Sequence, residues 1–97
     1  MKSIFLHNIK NKNEIIHALD TVFIGSNPWL IMSGETPMAY VYQSYDASVL
    51  FENETICIQI DISGKFYGNL EEIYTKIKAV RSMIGGVLYD DTNNVIS

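Results

Sequence analysis

The 97-residue chain is short of several things: it has one cysteine, two prolines, one tryptophan and two histidines, and only seven basic residues against eleven acidic ones. Each shortage excludes something. A lone Cys57 cannot close an intramolecular disulfide, so the fold must rest on its core, and a reducing cytoplasm is the expected compartment. No apolar run approaches the roughly 18 residues of a membrane span. The early run Ile4, Phe5, Leu6 is cut off by His7, Asn8 and Lys10, and is too short for the apolar region of a signal peptide. A net charge of −4, with its basic residues scattered, offers no cluster that could displace counterions from a nucleic acid. No P-loop, G-x-G-x-x-G, H-E-x-x-H, C-x-x-C or G-x-S-x-G is present, and SGKFYGN has two glycines and Lys65 without phosphate-loop spacing.

What is present is apolar patterning. Apolar residues make up 47% of the chain, enough for one domain spanning residues 1–97 without disulfide or metal. KSIFLHN reads as a first strand. NKNEIIHALDTVF reads as a helix, capped by Asn11 or Asn13, with Ile15, Ile16, Leu19, Val22 and Phe23 on its apolar side. WLIMSGETPMAYVYQSYD gives two strands joined at Ser33–Pro37, where Gly34 allows a positive φ. SVLF reads as a further short strand before the polar turn ENET, and TICIQIDI is the clearest strand of all. A second helix is expected over Leu70–Ile84, with Asn69 as its cap and Leu70, Ile73, Ile77, Val80 and Ile84 as its buried stripe. Glu71 and Glu72 sit at the positive end of its dipole and Lys78 and Arg81 nearer the negative end. Gly85 and Gly86 stop it before the strand GVLYD, and a short VI follows the turn DDTNN.

The order β-α-β-β-β-β-α-β predicts an α+β two-layer sandwich: two helices on one face of a mainly antiparallel sheet, ferredoxin-like with extra strands. The isoleucines 56, 58, 60 and 62 would face the helices, and Cys57, Gln59 and Asp61 the open side. MAYVYQSY alternates as well. Small Ala39 and Val41 suit packing under a helix, which puts Met38, Tyr40, Tyr42 and Ser44 on the open face. Tyrosines beside Gln59 and Asp61 are rigid amphipathic groups of the kind enriched in protein interfaces. The alternative is a half-solvated sheet whose tyrosines only shield the backbone. Stacking of RNA bases on such a face would need basic residues that are missing.

Groups with chemical potential are sparse. His17 falls between Glu14 and Asp20 at i±3 spacing on the polar side of the first helix, and a solvated helix face accounts for it equally well. His7 ends a strand with no evident partner. Cys57 lacks the flanking cation or helix N-terminus that would activate a thiol. Asp90 and Asp91 with Asn93 and Asn94 form a loose oxygen set without EF-hand spacing, which is ordinary turn chemistry. No catalytic, metal or cofactor site is therefore expected. Asp61, Asp90 and Asp91 could instead form a negative patch beside the tyrosine face, suited to Arg and Lys of a basic protein.

In size, acidity, lack of a catalytic set, and the combination of Tyr40 and Tyr42 with Asp61, Asp90 and Asp91, the chain resembles the small acidic immunity proteins of bacterial toxin systems such as contact-dependent growth inhibition. These share no sequence signature, so no residue role carries over. The resemblance implies a cytoplasmic bacterial protein, monomer or homodimer alone, that binds one cognate toxin domain over its active site or substrate groove. If that toxin is a nuclease, the acidic groups would mimic phosphates. A small regulatory or ligand-sensing domain acting as a homodimer is the second expectation, and an enzyme using His17 or Cys57 the third.

Overall fold

Strand alternation and helix spacing both reach the same core. In the computed structural model, which describes residues 2–97, the strands are β1 (Lys2–His7), β2 (Ile24–Gly25), β3 (Trp29–Ser33), β4 (Thr36–Ser44), β5 (Cys57–Ile62) and β6 (Val87–Tyr89). The helices are α1 (Ile15–Val22) and α2 (Leu70–Ile84), each preceded by a tighter 3-10 turn, at Lys12–Glu14 and Gly64–Asn69. The six strands form one sheet in the order β2-β3-β4-β5-β1-β6, and every neighbouring pair is antiparallel.

Within that order, β6-β1-β5-β4 is the ferredoxin-like arrangement. The path from β5 through α2 returns to β6 with β1 between them, and β1 is likewise separated from parallel β4 by β5. The hairpin strands β2 and β3 extend the sheet beyond β4. Ile4, Leu6, Ile58, Ile60, Ile62, Ala39, Val41, Trp29 and Ile31 pack with Ile15, Ala18 and Leu19 of α1 and Ile73, Ile77, Val80 and Ile84 of α2 in one buried cluster. The expected α+β sandwich is the fold that forms.

Several local expectations are corrected. SVLF is not a strand. Asp46 Oδ1 accepts from the Ser48 N–H at 2.9 Å and the Ser48 hydroxyl at 2.8 Å, and the Asp46 carbonyl accepts from the N–H groups of Val49 and Leu50. This side-chain capping outcompetes a four-residue apolar strand, so residues 45–56 form a long loop of the β4–β5 hairpin. The missing strand is replaced in the count by β2, which lies where the first helix was expected to stop. No asparagine side chain caps either helix; Asn11 instead donates through Nδ2 to the Met83 carbonyl at 3.3 Å. Ile16 points away from the core at 54% exposure. Met38 is fully buried rather than on the open face. Pairing passes from Ile31–Ala39 to Met32–Pro37, and this bulge leaves Met38 without a β3 partner and lets it turn inward.

Candidate partner-binding face

The side chains between the core positions emerge on the sheet surface away from the helices. Register places them in two rows. Leu30, Tyr40, Asp61 and Ser3 are successive cross-strand partners from β3 to β1, and Tyr42, Gln59, Phe5 and Tyr89 run from β4 to β6. All eight are partly exposed. Tyr40 and Tyr42 thus stand directly beside Asp61 and Gln59, as the alternation requires.

Asp61 is held firmly. Its Oδ1 accepts from the Ser3 hydroxyl at 2.6 Å and from Gln59 Nε2 at 2.9 Å. Both bonds use one oxygen, so among the described residues Oδ2 retains its accepting capacity. A carboxylate fixed in this way needs little ordering to accept a bond from a second molecule.

The other end of the same face is roofed by the 45–56 loop. His7, fully buried, lies between the rings of Phe5 at 5.8 Å and Phe51 at 3.6 Å, nearly parallel to the latter, with Tyr89 edge-on at 5.4 Å. His7 Nδ1–H donates to Glu54 Oε1 at 2.7 Å, which assigns the proton to Nδ1 because an ionised carboxylate only accepts. Glu54 also accepts from the N–H groups of Phe51 and Asn8, both at 2.7 Å. Burial alone would raise the Glu54 pKa, but the bonds from Asn8, Phe51 and His7 together outweigh it and hold the carboxyl below its ordinary value. The expectation that His7 lacks a partner is therefore overturned. The partner sits in the ENET turn, 47 residues away, where no local spacing could signal it.

Cys57, expected on the open side, faces that way but is buried where β5 meets this loop. Burial first, then the nearby Glu54 charge, push its thiol up to about 12 despite a hydrogen bond with Ser44. It is a protonated packing residue at neutral pH, not an activated nucleophile. Asp20 accepts the Trp29 indole N–H at 2.7 Å and so anchors α1 to β3.

The C-terminal acids do not join Asp61. The Asn94 N–H and the Thr92 hydroxyl, with smaller contributions from the Thr92 N–H and Asn94 side chain, hold the Asp90 carboxyl below its ordinary value, making it the organiser of its own turn. Asp91 is exposed and lies at the rim of a cleft that Phe5 and Phe51 share. Because β1 lies between β5 and β6, Asp61 and the acids after β6 are separated by on the order of 10 Å across the strands.

Among the described residues, no group of three His, Cys, Asp or Glu side chains could hold a metal ion, and no helix is long and apolar enough to cross a membrane. No protein-family model, curated protein or solved structure matches the chain.

Proposed function

We propose that this chain is a binding protein of the immunity type: it occludes a basic toxin domain in the bacterial cytoplasm through the bare part of its sheet and performs no chemistry of its own. The observation that supports this reading is the pair of rows on the open face. Two tyrosines stand beside a carboxylate already fixed by Ser3 and Gln59, and no helix among the described residues covers them. Tyrosine supplies contact area at small entropic cost, and an aligned carboxylate supplies charge-assisted bonds to Arg or Lys.

The test is co-expression with the C-terminal domain encoded immediately upstream of the gene, followed by calorimetry at two salt concentrations. Tight binding that weakens with salt, with loss of the partner's toxicity, is expected. Tyr40→Ala and Asp61→Ala should each cost about 2 kcal/mol of affinity or more, with the fold retained. Unchanged affinity in both variants would remove the open face as the interface. A stable homodimer that buries this face and binds no such domain would instead favour a regulatory, ligand-sensing role.

A further inference from the structure

The cleft beside Asp91 has a more specific chemistry than the face it adjoins. It has a volume of about 230 Å³ and is lined by Phe5, His7, Leu50, Phe51, Asp91 and Asn93, among others. That is below the roughly 300–1,000 Å³ of sites for drug-sized ligands, and suits a single side chain. Its aromatic wall is packed and hydrogen-bonded within the chain itself. The His7 ring is stacked 3.6 Å from Phe51 at an interplanar angle of 12°, and Tyr89 abuts Phe51 edge-on at 5.0 Å. Glu54 bonds both the His7 ring and the Phe51 N–H, so one carboxylate fixes the imidazole and the backbone that carries Phe51. At the rim, Asp91 is exposed and forms no ion pair among the described residues. Phe5 belongs both to this cleft and to the Tyr42–Gln59–Phe5–Tyr89 row, so the cleft is continuous with the proposed interface.

We propose that this cleft receives an arginine side chain of the basic partner, with the guanidinium against the aromatic wall and its N–H groups on the Asp91 carboxylate. The inference rests on the partner-binding reading above and names the anchor within it. A guanidinium is planar, weakly hydrated and stacks on aromatic faces, whereas an ammonium is compact and holds its water. A cleft lined by Phe5 and Phe51 with one exposed carboxylate beside them distinguishes the two. The net charge of −4 gives the same preference for a cation at longer range.

The probe is N-acetyl-arginine amide, titrated into the free chain and followed by amide NMR, with the lysine and norleucine counterparts alongside. Saturable shifts are expected at Phe5, Leu50, Phe51 and Asp91, weaker for the lysine compound and absent for norleucine. Asp91→Asn, an exposed position that leaves the wall intact, should weaken arginine binding about five-fold. The same spectra report whether the variant is folded. No saturable shifts, shifts unaltered in Asp91→Asn, or equal shifts with norleucine would overturn the proposal. The titration needs no partner, so the two readings fail separately. A probe that binds as described while the upstream domain does not would sink the immunity reading and keep the cleft. A domain bound through Tyr40 and Asp61, with no response to the probe, would do the reverse.

Discussion

The two faces of the sheet are built from one alternation and solve different problems with it. Towards the helices, Ile4, Leu6, Ile58, Ile60 and Ile62 are sealed completely, and their contribution is apolar burial. On the opposite face, Ser3, Gln59 and Asp61 remain partly exposed and satisfy one another sideways. The open face is itself divided: the His7 end is roofed by a loop latched through Glu54, while the Tyr40 end is bare. Covering such a face therefore takes a long loop and a buried acid, and the chain uses that device at one end only.

The contrast can be broken most severely from the sealed side. Ile60→Ala, at the centre of the core, should cost about 2–5 kcal/mol in urea unfolding. Gly86→Ala comes next. Gly86 has φ +115°, and a Cβ there would stand 2.8 Å from the His7 carbonyl oxygen, so a loss of about 1–3 kcal/mol is expected in thermal melts. Glu54→Gln tests the roof and should cost about 1 kcal/mol. Because the folded carboxyl lies below its ordinary value, its stabilisation is complete above the unfolded pKa and is lost as pH falls through the folded one. Stability measured down through that acid window should fall more steeply in the wild type than in Glu54→Gln, and parallel curves would remove the latch. The smallest effect belongs to the bare end: Tyr40→Ala should change unfolding stability by about 1 kcal/mol or less. A loss as large as that of Ile60→Ala would erase the distinction between the faces.

The fold was legible where periodicity was long. The interval Leu70–Ile84 carries four buried residues at helical spacing and forms a helix over that whole span, and the isoleucine alternation of β5 assigned its faces correctly. Tyr40, Tyr42, Gln59 and Asp61 could be placed on one face because, where no bulge intervenes, alternation decides which side a strand residue takes. Legibility failed where a single contact overrides local pattern. SVLF has strand-like composition, yet the Asp46 carboxylate turns it back. Met38 follows the alternation until a bulge redirects it. His7 and Glu54 meet through tertiary structure alone, so the cleft built on them had no signature in sequence. Separation of the acids depended on strand order, which neither composition nor spacing contains.

The position of β1 also has a consequence in time. Its partners are β5, reached 58 residues later at the Ser3–Asp61 bond, and β6, where Leu6 meets Leu88. While the chain is being made, the β3–β4 hairpin can close early, but Ile4 and Leu6 must wait with both strand edges unpaired. Such non-local closure slows folding and leaves an apolar strand open to wrong pairing in the interval. The same strand supplies Ser3, Phe5 and His7, so Asp61 gains its Ser3 bond, and the second row its Phe5, only once β1 has paired. A nascent or partly folded chain therefore lacks the complete surface, and a partner that needs both rows reads the finished fold.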